Sequence, residues 1–357
     1  MNFLRKIVWL SFGLYVLLFP GSTLTITLHM VPEWGIGFGA MLMLLQGSAA
    51  LGWLLAVGGW RGGAVGLLCL SLAWLIEYIG ETSGLPFGRY AYTEVLQPQI
   101  AGVVPLPITF AWLMVVTGAW QLANIPGQAA RQNGKRRDGQ VLVGYLRGLL
   151  KSAFKQPRRL KQCALEHGQL LTDGSHGCVS TALLQHASRV PLYPSCTKNS
   201  KTGGSRPSSP KSSFQSTKLK IMLFTATLVL LLDLQIETVA TLVNPYWIWI
   251  DHGPYYGVPT ANFVAWWVVG LFMAFVLTKF GGSWKGAKPS YRESGSHADN
   301  AAPLRQLLAW VFERIPSLLY ILSTLMFILT NAAYGYWMAV AVGIGTLAIL
   351  GMWLYRL

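Results

Sequence analysis

The chain has 357 residues, of which 53% are hydrophobic and only 11% charged, against about 25% charged in an average soluble domain. That balance excludes a water-soluble globular fold for most of its length. The formal net charge is +15, and four cysteines (Cys69, Cys163, Cys178, Cys196) are too scattered for a disulfide framework.

Apolar runs long enough to cross a bilayer, roughly 20 residues each, are predicted at residues 7–28, 34–57, 63–79 and 101–122. After a long polar interval they resume at 219–243, 259–277, 315–329 and 335–354. The fold class read from this pattern is all-α, a polytopic integral membrane protein of about eight transmembrane helices. The first run comes after Arg5 and Lys6 as a secretory signal would. Its apolar stretch is long and has no small-residue cleavage site after it, so a retained helix is expected. An even number of spans puts both termini on one side. With that side cytoplasmic, Arg89 is the one exception among 28 basic residues to the positive-inside rule. The cytoplasmic membrane, with both termini inside, is therefore the expected location. Membrane topology accounts for the basic charge, and nucleic acid is not an expected partner.

The chain divides into three regions: helices one to four in 1–127, a basic insert in 128–217, and helices five to eight in 218–357. The insert opens with Lys135, Arg136 and Arg137 and closes with a Ser-, Gly-, Lys- and Pro-rich tract, a composition that predicts disorder. Residues 141–155 within it read as a basic amphipathic helix for an anionic lipid surface. Cys163, His167, His176, Cys178, His186 and Cys196 also fall in the insert. Their spacings match no tight zinc pattern, so no metal is expected.

Two predicted helices carry acids near the same, non-cytoplasmic end. Glu77 and Glu81 close the third span, and Asp233 and Glu237 close the fifth. Each pair is spaced i, i+4 and shares one helical face. Asp233 lies about 15 residues into its helix, roughly 22 Å along the axis. Ionisable groups at such depth face a cavity or the bundle interior and carry function. The segments beyond the two pairs are also alike: a Gly/Tyr-rich loop leads to Pro105 or Pro259, and then to Trp112 or Trp266. This reads as a parallel internal repeat whose outer loops meet over one cavity. Trp and Tyr line membrane interfaces in any such protein. The stretch from Tyr246 to Tyr256, with Asp251 and His252, is dense enough to serve equally as belt or site wall.

At these blocks the chain resembles the carotenoid biosynthesis membrane protein family, which includes γ-carotene hydratases and bisanhydrobacterioruberin hydratases. The strings that carry the resemblance are E-x-x-G-L-P-F-G-R-Y-A-Y-T from Glu81, preceded by Glu77, and G-P-Y-Y-G-V-P-T-A-N-F-V-A-W from Gly253. The likeness covers residues 34–122 and 219–279 and departs in the insert. It implies addition of water across the terminal double bond of a ψ-end group, with no cofactor. The implied substrate is a carotenoid drawn from the bilayer, and the implied partners are membrane lipid and other carotenoid biosynthesis enzymes.

Roles for residues come from the chemistry of that reaction. Hydration of a trisubstituted alkene needs a strong acid, a wall that tolerates a tertiary cation, and one admitted water. Apolar surroundings and a second carboxyl nearby favour the protonated acid near neutrality. Glu77, Glu81, Asp233 and Glu237 are therefore the candidate catalytic residues, one pair giving the proton and the other pair, or His252, orienting and deprotonating the water. Tyr90, Tyr92, Trp112, Trp247, Tyr255, Tyr256, Asn262 and Trp266 are the candidate substrate-binding wall. The same cation would serve an end-group isomerase or cyclase. Paired carboxyls would also serve a proton-coupled transporter. A carotene substrate predicts a site open sideways to lipid, with Gly35, Gly37, Gly39, Gly47 and Gly52 allowing either close packing or a groove.

Overall fold

The computed structural model describes residues 3–32, 35–132, 211–281 and 302–355. Most of the basic insert, including its 141–155 stretch and its Cys/His set, lies outside the described residues. The helices are α1 (Phe3–Thr27), α2 (Phe38–Ser83), α3 (Leu106–Gln132), α4 (Lys211–Thr238), α5 (Thr260–Gly281), α6 (Ala302–Glu313), α7 (Ile315–Ala333) and α8 (Trp337–Tyr355). A π-helical turn, Val239–Val243, continues α4. Four short strands lie between helices: β1 (Tyr90–Tyr92), β2 (Gln99–Ile100), β3 (Val104–Pro105) and β4 (Trp247–Trp249).

Among the described residues, seven helices are long and apolar enough to cross a membrane, and the chain is an integral membrane protein. The longest, α2, has 46 residues; at about 1.5 Å per residue it would run twice the thickness of a bilayer core. It does not run straight. Gly59 has φ 61° and ψ −150°, a conformation that glycine alone enters freely. Gly62, Gly63 and Gly66 beyond it lie against Leu54, Leu55 and Leu51 before it, contacts impossible along one straight helix. Thus α2 doubles back as two limbs, 38–58 and 60–83. The eight crossings expected from the sequence are present as seven helices, one of them bent double.

Inside a membrane every backbone polar group needs a partner within the protein, and the break between α6 and α7 shows how this is met. Gln121 of α3 donates through Nε2 to the Glu313 carbonyl at 2.6 Å. Its Oε1 accepts from the Ser317 N–H at 2.9 Å and the Ser317 hydroxyl at 2.7 Å. A first-turn N–H of α7, without an intrahelical partner by construction, is thereby bonded. Helix α6, at 12 residues, is too short to cross and is not among the spans expected from the sequence. It turns Phe312 inward and leaves Leu304, Leu307 and Leu308 exposed.

The two ends of the bundle differ in character. At one, Arg5 sits over the Phe312 ring at 4.9 Å and Arg314 over Trp310 at 4.8 Å. At the other, the loops after α2 and α4 meet: β1 pairs antiparallel with β4, Tyr90 opposite Trp249 and Tyr92 opposite Trp247. Small residues set the helix spacing between. Gly39, Gly47 and Gly52 of α2 face Tyr246, Phe110 and Val8, and Gly118 of α3 faces Pro316 and Tyr320 of α7. Most glycines of the second predicted span therefore serve close packing.

Candidate functional site

The β1–β4 ribbon is the roof of the site. Strand side chains alternate between faces, and here Tyr90, Tyr92, Trp247 and Trp249 turn inward while Ala91 and Ile248 turn out. Arg89 and Asp251 clamp the ribbon at one end. Asp251 accepts from the Arg89 backbone N–H at 2.8 Å, from Nε at 3.0 Å and from Nη2 at 2.8 Å. These bonds, the guanidinium ones foremost, hold the Asp251 carboxyl below its ordinary range. The one basic residue placed on the non-cytoplasmic side by sequence thus carries its own counter-ion.

Under the roof each inward pair of aromatics serves a glutamate from its own half of the chain. Glu77, buried near the end of α2, accepts from the Tyr90 hydroxyl at 2.7 Å and the Tyr92 hydroxyl at 2.6 Å, both on Oε2. Its Oε1 accepts from Trp112 Nε1 at 2.7 Å. Gly80 permits this, because a Cβ there would strike Phe87 and the Tyr90 hydroxyl. Burial, and then the Glu77 charge, push both tyrosine hydroxyls well above the ordinary phenol range, so they act as donors. Glu237, buried near the end of α4, accepts from Trp247 Nε1 at 3.2 Å and Trp249 Nε1 at 3.0 Å on Oε2. Asn262 Nδ2 donates to its Oε1 at 2.9 Å. Each glutamate thus accepts from three donors. The same Asn262 amide reaches Asp233 Oδ2 at 3.2 Å, while Asp233 Oδ1 has no hydrogen-bond partner.

Trp112 and Trp266 stack face to face, ring centroids 3.7 Å apart and planes 13° apart. Each lies about two turns beyond the proline that opens its helix, so the correspondence seen in sequence ends as a contact between the two halves. The internal register differs from the one read in sequence. Pairing the acids one to one equates Glu81 with Glu237; hydrogen bonding equates Glu77 with Glu237.

Beneath the ribbon lies a cavity of about 480 Å³. Its wall includes both glutamates, Tyr90, Tyr92, Trp112, Trp247, Trp249, Asn262 and Trp266, and, among the described residues, no basic one. Its floor carries three buried polar groups from three helices: Tyr15, Gln46 and Ser323. Gln46 Nε2 donates to Ser323 Oγ at 3.0 Å, and the Tyr15 hydroxyl neighbours both.

Of the residues singled out by sequence, Glu77, Glu237, Tyr90, Tyr92, Trp112, Trp247, Asn262 and Trp266 come together on this wall. Asp233 is fully buried beside Asn262, off the wall. The others lie elsewhere. Glu81 is half-buried, with a long 3.4 Å contact to the Tyr92 N–H and a second oxygen without a partner. His252 is exposed in the loop. The Tyr255 hydroxyl donates to the Leu234 carbonyl at 2.7 Å, and the Tyr256 oxygen accepts from the Met338 N–H at 3.2 Å. Both tyrosines act as struts between elements. Sequence reasoning passed over Trp249, whose signal was its i, i+2 relation to Trp247, matching Tyr90 and Tyr92. It also passed over the floor, whose signal was three polar residues within apolar spans.

No curated protein and no solved structure matches the chain. The sequence profile described as carotenoid biosynthesis protein matches residues 38–150 and 204–350, well over half of the chain. The unmatched residues between, 151–203, fall within the basic insert. Both halves of the cavity, Glu77 with its donors and Glu237 with its own, lie in the matched stretches. The chain belongs to the carotenoid biosynthesis protein family.

Proposed function

We propose that this protein is a carotenoid hydratase, adding water to the terminal ψ-end double bond of an acyclic or monocyclic carotene. The observation that carries this reading is the pair of buried glutamates in a cavity walled by tryptophan and tyrosine and, among the described residues, free of basic ones. Such a wall disfavours anions and suits a short-lived carbocation. An aromatic face near a desolvated cation contributes about 2 kcal/mol, and fixed carboxylates offset the same charge.

The steps balance without an oxidant or reductant. Glu237, the member of the Asp233–Glu237 pair that lines the cavity, delivers its proton to the less substituted alkene carbon. The π electrons form that C–H bond and leave a tertiary cation between the aromatic rings. A water oxygen attacks the cation, a carboxylate takes the proton this water sheds, and one water is gained; exchange of that proton back to the donor carboxyl through water then restores both groups. Glu77 faces the same space and is assigned the second role, holding charge opposite the cation and receiving that proton. A positioned acid or base contributes about 100- to 10,000-fold.

We place the Arg5/Arg314 end on the cytoplasmic side, in line with the positive-inside rule. The carboxyl cavity then lies in the outer half of the membrane.

The test is expression of the full chain in a bacterium that accumulates lycopene or γ-carotene, with pigments separated by chromatography and weighed by mass spectrometry. The expected product is a more polar pigment heavier by one water. A pigment of unchanged mass and altered spectrum would replace hydration with isomerisation or cyclisation. Unchanged pigment beside a properly inserted chain would overturn the reading.

A further inference from the structure

Three residues of α1, Leu17, Gly21 and Thr25, stand on one helical face at i, i+4 spacing. All three line the cavity, and all three are exposed on the outer surface, Leu17 at 74%. A residue that belongs to both surfaces marks a place where the inside of the cavity meets the outside of the bundle. Helix α1 lies among the membrane-crossing helices, so the outside there is hydrocarbon and not water. Met326 and Phe327 of α7 also line the cavity and are half-buried.

The chemistry of this opening is that of a passage for an apolar chain. The Thr25 hydroxyl donates to the Gly21 and Ser22 carbonyls at 3.0 and 3.1 Å, and the Ser22 hydroxyl to the Phe19 carbonyl at 3.1 Å. Both polar groups are thus spent within α1. Gly21 adds no side chain, and nothing lies within 4 Å of where its Cβ would stand. Pro20 beside it offers no N–H to the preceding turn, which lets α1 bend at this level.

We propose that the face at Leu17, Gly21 and Thr25 is a lateral portal through which a long apolar hydrocarbon enters the cavity directly from the bilayer. The portal leaves the tail of the guest in lipid while its end group reaches the glutamates. Only the nature of that end group rests on the proposed function.

The portal is tested by entry, not by turnover. The full chain in phosphatidylcholine vesicles is exposed to a polyisoprenoid hydrocarbon bearing a terminal photoreactive diazirine, and labelled peptides are identified by mass spectrometry. The expected result is labelling around Glu77 and Trp112 that Gly21→Phe lowers about tenfold, as an overpacked passage imposes. Gly13→Phe is the matched control, because Gly13 is exposed on the same helix, equally open at its Cβ and absent from the cavity wall; it should leave labelling unchanged. Leu17→Ala should raise labelling, a gain that misfolding does not mimic. Equal labelling in the parent and Gly21→Phe, or none at all in the parent, would overturn the portal. Portal-dependent labelling in a chain that yields no hydrated pigment would remove hydration and leave the portal standing.

Discussion

Glu77 and Glu81 are one helical turn apart and chemically alike, yet their surroundings divide their roles. Glu77 is buried with three donors, whereas Glu81 is half-buried with one long contact. Glu77→Gln and Glu237→Gln should each lower turnover of a carotene by about 100-fold or more while the chain still inserts. Glu81→Gln should stay within a few-fold of the parent. Pigment turnover per inserted molecule checks all three, and equal losses at Glu77 and Glu81 would contradict this division. Asp251 supports a pH prediction. Its carboxyl is held below the ordinary range chiefly by the Arg89 guanidinium. A lowered folded value means its contribution is complete above the unfolded value of about 3.9 and is lost as pH falls through the folded one. The ribbon should therefore loosen only in strong acid. Thermal unfolding in detergent should show a drop for the parent between pH 6 and pH 3, and Asp251→Asn should start lower and change less. The acids themselves were legible in the sequence because carboxyls are rare within apolar runs. Which of them share a cavity was not, since i, i+4 spacing fixes a common face but not what that face meets.

At the level of elements, the apolar runs marked every crossing helix because membrane insertion writes itself into composition. The tight reversal of α2 at Gly59 depends on backbone conformation, which a run of apolar residues does not display. Gly62 sits where any Cβ would meet the Leu54 carbonyl, so Gly62→Val should prevent the limbs from closing. The expected outcome is a low yield of monodisperse protein and a lower unfolding temperature, with Gly13→Val, in open space, near the parent. Helix α6 escaped notice for the opposite reason. Its apolar residues form a run of only about six, 307–312, too short to read as a span. The β1–β4 ribbon was invisible to periodicity because three-residue strands carry too few alternations. Only the repeated Gly/Tyr loops hinted that the two segments meet.

For the whole molecule, the proposed orientation predicts that a cysteine replacing Ala91 on the exposed side of the ribbon reacts with a membrane-impermeant maleimide added to intact cells. A cysteine at Arg305 should react only after the cells are opened. The reverse pattern would invert the topology. The insert between α3 and α4 interrupts the chain between two halves that each supply a glutamate, and the division of hydrogen bonds coincides with that interruption. All three donors to Glu77 come from residues 90–112, and all three to Glu237 from residues 247–262. During synthesis the ribosome therefore delivers a first half whose buried carboxylate already has its partners before any of the second half exists. Neither half leaves a bare charge in lipid while awaiting the other. What remains for their meeting is docking by stacked rings, a short ribbon, close helix packing and the Gln46 and Gln121 hydrogen bonds. Two separately translated polypeptides, cut within the insert and made in the same cell, should accordingly find each other in the membrane and rebuild one working site.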